Sequence, residues 1–201
     1  TIALTITVTD ANDNAPVFGD GATASASVAE GVTTIADYDL TDSDTTDPLA
    51  SSGACTVSGT DSGDFTPSQV DSNTCRIAFA ATPDFESAAD ANTDNSYSVN
   101  LIGTDAGSNS DTIALTISVT NSNDEAPVFS DGATNAVSVA EGGTTVADYD
   151  ITDADTTDAF NDLAASGGCT DSGTDAADFT PTRVDADTCR IAFAATTDYE
   201  S

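Results

Sequence analysis

Histidine, lysine, tryptophan and methionine are all absent from this 201-residue sequence, and its whole cationic complement is Arg76, Arg183 and Arg190. Each absence excludes something. Without histidine or lysine the chain lacks the commonest proton shuttle and the amine of covalent catalysis, and neither a G-x-S-x-G elbow nor a phosphate-cradling loop occurs. A carboxylate pair alone can hydrolyse a glycosidic bond, but nothing singles out one pair among 35 acidic residues. The sequence therefore reads as non-enzymatic. Three cations against 35 acids give a formal net charge of -32, which argues against nucleic acid and anionic membrane as partners. No long apolar run is present, so no membrane contact is expected within this segment, and any leader or anchor is expected outside it.

What is present is order. Hydrophobic residues make up 38% of the chain and recur in regular alternation, which a disordered polyanion would not show. Four cysteines fall as two pairs of equal spacing, Cys55 with Cys75 and Cys169 with Cys189. Zinc is disfavoured because there is no histidine and no C-x-x-C. Two disulfides and an oxidising, extracellular or cell-surface location are expected.

The chain repeats itself. TIALTITVTDANDNAPVF, from Thr1 to Phe18, returns as TIALTISVTNSNDEAPVF from Thr112 to Phe129, an offset of 111 that also carries Glu30 onto Glu141 and Tyr38 onto Tyr149. Cys55 meets Cys169 at an offset of 114, so three residues are inserted, around Phe160 to Leu163, in an expected loop. The pattern divides the chain into 1–14, a last strand and linker; 15–125, one complete repeat; and 126–201, a second repeat that stops before its last two strands. Two offsets place the next repeat start at 226, so continuation of the same polypeptide through 24 further residues is expected. Donation of Thr1–Thr9 to a neighbouring molecule is the alternative, and it leaves a sixth strand unsupplied.

Within each repeat the period is two, the mark of strands with one buried face. Ile2, Leu4, Ile6 and Val8 alternate with Ala and Thr; so do Tyr97, Val99 and Leu101, Ile77 with Phe79, and Val137 with Val139. Clusters of Gly, Asp, Ser and Asn between them are turn chemistry. Seven strands are expected in the complete repeat, at Ala24–Ala29, Thr33–Leu40, Cys55–Ser58, Phe65–Val70, Cys75–Ala80, Tyr97–Thr104 and Thr112–Thr120. That is the rhythm of an immunoglobulin-like sandwich, all-β and Greek-key.

Acidic and amide side chains gather in turns at the repeat boundaries. Asp10-Ala11-Asn12-Asp13-Asn14-Ala15-Pro16 resembles the DxNDNAPxF linker of cadherins, and further motifs follow in cadherin order. Glu30 and Glu141 resemble the glutamate ending the first strand. Asp42-Ser43-Asp44 and Asp153-Ala154-Asp155 resemble the DxD turn, Asp84-Phe85-Glu86 and Asp198-Tyr199-Glu200 the DxE motif, and Asp105 the aspartate after the sixth strand. The resemblance implies tandem seven-stranded cadherin-type sandwiches in a linear array, of a microbial extracellular type, with calcium at the junctions. Calcium takes six to eight oxygen ligands in loose geometry, more than any one loop here supplies.

By resemblance, the first junction draws on Asp10, Asn12, Asp13, Asn14, Asp42, Asp44 and Asp105. The second draws on Glu30, Asp84, Glu86, Asn123, Asp124, Asp153 and Asp155, while Glu141, Asp198 and Glu200 belong to the next. Two positions depart from the family: Asn121 stands for Asp and Glu125 for Asn. An EF-hand is excluded, since the Asp42 loop has no glycine at its sixth position and no flanking helices. Asp37, Asp47, Asp61, Asp71, Asp90, Asp94 and Asp171 read instead as solvated turn residues. The implied function is a calcium-rigidified structural repeat of an extracellular fibre or long surface stalk, whose partners are neighbouring repeats or identical chains. The alternative is a calcium-dependent adhesin binding another cell, protein or glycan, disfavoured by the absent tryptophan and the sameness of the repeats. The acidity suggests a microbe from a saline setting.

Overall fold

A computed structural model describes residues 1–44, 48–50, 53–155 and 168–200. The insertion expected at Phe160–Leu163 and the expectation for Asp47 lie outside the described residues. The chain divides into two compact units, Thr1–Ser122 and Asn123–Ser201, and no helix among the described residues is long and apolar enough to cross a membrane.

Unit 1 is a two-sheet sandwich. Its strands are β1 (Val17–Phe18), β2 (Thr23–Ala29), β3 (Thr34–Thr41), β4 (Cys55–Ser58), β5 (Phe65–Gln69), β6 (Thr74–Phe79), β7 (Ser96–Thr104) and β8 (Ser110–Thr120). One sheet runs β1-β3-β6-β5 and the other β2-β8-β7-β4. The seven strands expected from alternation are all present, each within two residues of its expected ends. The eighth, β1, is a two-residue piece too short to leave a periodic signal. Its chain passes through a turn at Gly21, where φ is +82°, a conformation glycine adopts without steric cost. It then changes sheets: β1 pairs antiparallel with β3, and β2 pairs in parallel with β8, from Thr23 opposite Ala114 to Ala29 opposite Thr120.

The core lies where alternation put it. Tyr97, Val99 and Leu101 of β7 and Ile113, Leu115, Ile117 and Val119 of β8 are buried, facing Phe18, Tyr38, Leu40, Phe65, Ile77 and Phe79 of the opposite sheet. Phe65, Phe79 and Tyr97 form an aromatic triad with ring centroids 4.9 to 5.7 Å apart, stacked and edge-on as ring quadrupoles favour. At Gly103 a Cβ would overlap the Leu40 side chain, so glycine there lets the two sheets close. The Cys55–Cys75 disulfide joins β4 to β6, one strand from each sheet.

Unit 2 repeats one of these sheets: β9 (Val128–Phe129), β10 (Thr145–Thr152), β11 (Phe179–Arg183) and β12 (Thr188–Phe193) in the order β11-β12-β10-β9. Its disulfide is Cys169–Cys189.

Two expected strands are not formed. Thr1–Thr9 is unpaired, with Ile2 95% and Val8 92% exposed, and Val137 and Val139 belong to no strand. The reason is pairing rather than pattern. The equivalent of the first is β8, held between β2 and β7; the equivalent of the second is β2, whose sole sheet neighbour is β8. Neither segment has such a neighbour among the described residues.

Candidate metal-binding sites

In unit 1 the linker is held by the DxD turn that follows β3. Asp42 Oδ1 accepts the Asp44 N–H at 2.9 Å, a local turn that aims the Asp44 carboxylate at the linker. Asp44 Oδ2 then accepts the backbone N–H groups of Asp13 and Asn14 at 2.7 and 2.6 Å, and its Oδ1 accepts the Asn14 side-chain amide. The Asn14 backbone N–H, its side-chain amide and the Asp13 N–H hold the Asp44 carboxyl below the usual carboxylate range, against the opposing pull of desolvation. Asp105 is buried, 2% exposed, in the turn between β7 and β8. Asp10 and Asn12 lie exposed on the linker.

At the other end of unit 1, Glu30 is also buried. Its two carboxylate oxygens accept the N–H groups of Phe85 at 2.7 Å and Ser122 at 2.6 Å. Carboxylate oxygens of Glu30, Asp84 and Glu86 come within 4.8 Å of one another. Asn121 donates its side-chain amide to Glu86 at 2.8 Å. An aspartate at that position, as the family resemblance implies, could not donate to Glu86; the amide places a donor beside three clustered acids.

Unit 2 reproduces both arrangements. Asp153 Oδ1 accepts the Asp155 N–H at 3.0 Å, and Asp155 Oδ2 accepts the N–H groups of Asp124 and Glu125 at 2.8 and 2.6 Å. Asn123 is exposed. Glu141, Asp198 and Glu200 bring carboxylate oxygens within 4.8 Å of one another, like Glu30, Asp84 and Glu86. The second departure has a structural cost. Glu125 cannot donate from its side chain as Asn14 does, and Asp155 Oδ1, the counterpart of the oxygen that Asn14 satisfies on Asp44, is buried without a partner. Asp42 Oδ2 is buried without a partner too. Oxygen-only donors, paired carboxylates and orphaned carboxylate oxygens fit a hard divalent cation.

Two aspartates read from sequence as solvated are not. Asp61 and Asp90 are 5% and 3% exposed. Asp61 accepts the N–H groups of Ala91 at 3.0 Å and Ser98 at 2.6 Å; Asp90 accepts those of Asp94 and Asn95. They close the irregular segment between β6 and β7, in which Thr93 and Asn95 have positive φ. Periodicity cannot flag a carboxylate whose partners are backbone N–H groups of a loop. Of the others, Asp37 accepts both Arg76 Nε and Nη2 at 2.7 Å, an exposed ion pair repeated by Asp148 and Arg190. Asn109, which no motif singled out, donates to the linker carbonyl of Asn14 at 3.1 Å.

No protein-family model matches this sequence, and no curated protein matches it. Solved structures do. The protocadherin gammaB4 extracellular domain shares 27% identity at a TM-score of 0.58, covering 96% of this chain and 28% of its own. PcdhgB3 EC1-4 shares 23% at 0.57, covering 96% and 44%. Mouse cadherin-23 EC22-24 shares 19% at 0.60, covering 94% and 56%. The chain thus spans between 28% and 56% of the length of these three structures. In fold, the chain is cadherin-like.

Proposed function

We propose that this chain is a run of extracellular structural repeats whose junctions are stiffened by calcium, part of a fibre or long surface stalk rather than an enzyme. The observation that carries the reading is the duplicated carboxylate geometry: Glu30 with Asp84 and Glu86, and Glu141 with Asp198 and Glu200, cluster in the same way in the two units. At a net charge of -32, carboxylates brought within 4.8 Å repel one another unless a cation joins them. The proposed ligands of the first junction are Asp10, Asn12, Asp13, Asn14, Asp42, Asp44 and Asp105. By sequence correspondence those of the second are Glu30, Asp84, Glu86, Asn123, Asp124, Asp153 and Asp155. Two disulfides support an oxidising, extracellular location, and the matched protocadherin gammaB4 structure is of an extracellular domain.

Calcium would supply charge neutralisation and cross-bracing. The chain's own part is to hold the carboxylates in place, through N–H groups of the linker on Asp44 and of Phe85 and Ser122 on Glu30. Each unit has its own disulfide, and the sandwich core of unit 1 contains none of the proposed ligands. Removal of calcium is therefore expected to loosen the linkers and spare the sheets. Small-angle scattering and limited proteolysis with and without chelator test this. Greater flexibility and new cleavage near Asp13 and Asp124, with the far-UV β-signal kept, are expected. Unchanged length and stiffness in chelator would end the calcium-joint reading.

A further inference from the structure

Within unit 1 the linker is gripped from two sides. Asp44 holds its N–H groups, as described above. The second grip is the turn from Asp105 to Asn109, between β7 and β8. Asn109 Nδ2 donates to the Asn14 carbonyl at 3.1 Å and to Asp105 Oδ2 at 2.9 Å. The Asn109 N–H donates to Asp105 Oδ1 at 2.7 Å, and its carbonyl accepts the Asp105 N–H at 3.0 Å. One residue thus closes the turn upon Asp105 and reaches the linker with the same amide. Gly107 brings the turn against the linker backbone: a Cβ there would stand 2.7 Å from the Asn12 carbonyl oxygen and 2.9 Å from Asn109 Nδ2, nearer than real Cβ atoms come. Neither residue is among the proposed ligands.

We propose that Gly107 and Asn109 form a metal-independent latch that seats linker residues 12–14 on unit 1 and aims the Asn14 carbonyl before any cation arrives. Asn109 is a positioning residue, since its contacts are a carbonyl and a carboxylate. A linker of Asp and Asn free in water must be ordered when it closes on an ion, and that ordering lowers affinity. The latch supplies part of the ordering in advance. The effect on affinity rests on the calcium reading above; the seating of the linker does not.

The test uses the whole chain, first in chelator. Amide hydrogen exchange followed by NMR is expected to show the Asp13 and Asn14 N–H groups protected in the parent protein. In Asn109→Ala they should exchange about fivefold to tenfold faster, the range set by losing about one neutral hydrogen bond. Gly107→Ala should act similarly by displacing the Asn12 carbonyl. Asn109→Asp should exceed Asn109→Ala, because a carboxylate cannot donate and would face Asp105. Ser110→Ala, at the exposed start of β8, should leave exchange unchanged. Calorimetric titration of calcium itself should show the same order, with a fivefold to tenfold loss of affinity for Asn109→Ala. Linker amides that exchange equally fast in parent and Asn109→Ala would overturn the latch. If the parent binds no calcium, the calcium reading fails while exchange in chelator still decides the latch. Calcium affinity unaltered in Asn109→Ala, with exchange accelerated, would overturn the aiming of Asn14 alone.

Discussion

Replacing Glu125 by Asn should repair a defect that the two units display side by side. In unit 1 the Asn14 amide satisfies Asp44 Oδ1. In unit 2 the equivalent oxygen, Asp155 Oδ1, is buried with no partner, because glutamate at 125 has no donor. The backbone part of the two turns is otherwise the same: Asp13 and Asn14 donate to Asp44 Oδ2, and Asp124 and Glu125 to Asp155 Oδ2. Glu125→Asn therefore adds one hydrogen bond to a half-buried carboxylate and removes one of the negative charges around Asp153 and Asp155. A net hydrogen bond contributes about 1 kcal/mol, which corresponds to roughly a fivefold smaller local opening constant. Amide exchange at Asp124 and residue 125, measured in chelator so that no cation competes, reads this directly. The reciprocal change, Asn14→Glu, deprives Asp44 Oδ1 of its donor and should accelerate exchange at Asp13 by a similar factor. The two substitutions must move in opposite directions. If Glu125→Asn leaves unit 2 unchanged, or both variants loosen their turns, the orphaned oxygen is not what distinguishes the two linkers.

Three further outcomes follow from unit 1 and the disulfides. Asp61→Ala leaves the N–H groups of Ala91 and Ser98 without their acceptor and should destabilise unit 1 by about 3 kcal/mol, read by urea denaturation; a change below about 0.5 kcal/mol would contradict its role as a buried cap. Titration of the denatured, unreduced protein should find no free thiol, and removing either bridge, each spanning 20 residues, should cost about 3 kcal/mol in the chain-entropy model. Asp64 has its carboxyl pushed above the ordinary value of 3.8 by desolvation and then by Asp61 and Asp90. Its charged form therefore weakens the fold above its folded-state pKa and has no effect well below 3.8. Asp64→Asn should accordingly raise the melting temperature at neutral pH, with the gain vanishing as the pH falls below that range; a gain that persists in acid would refute the electrostatic cause.

Strand position was legible because alternation reports burial of one face, and β4 to β8 each turned out within two residues of their expected ends. Strand existence was less legible. Thr1–Thr9 and Thr112–Thr120 share eight of nine residues, yet only the second is a strand. The difference lies in the neighbours β2 and β7, which a local pattern cannot register. The acidic motifs were legible as clusters because they recur at fixed offsets. Asp61 and Asp90 occur in turn-like surroundings that look solvated, and their burial depends on the loop between β6 and β7 folding over them. Asn109 was silent for the same reason: its partner Asn14 stands 95 residues away.

A chain with three cations must stabilise its carboxylates by other means, and unit 1 shows which. The ion pair of Arg76 with Asp37 is exposed on the sheet surface, where such pairs contribute little. The buried acids Glu30, Asp61, Asp90 and Asp105 instead accept backbone N–H groups, two each for the first three and Asn109's N–H for the last. Those donors carry only partial charge. They satisfy hydrogen-bonding capacity without removing net charge, so the repulsion among Glu30, Asp84 and Glu86 persists after every N–H is used. Asp61 and Asp90 sit inside a unit whose packed sheets can bear that cost. The linker residues Asp10, Asn12, Asp13 and Asn14 are exposed, and a divalent cation is the proposed answer to the charge that remains there. Asp61 and Asp90 cap a loop by accepting N–H groups, whereas Glu30 accepts N–H groups and also meets the carboxylates of Asp84 and Glu86, as Glu141, Asp198 and Glu200 meet one another.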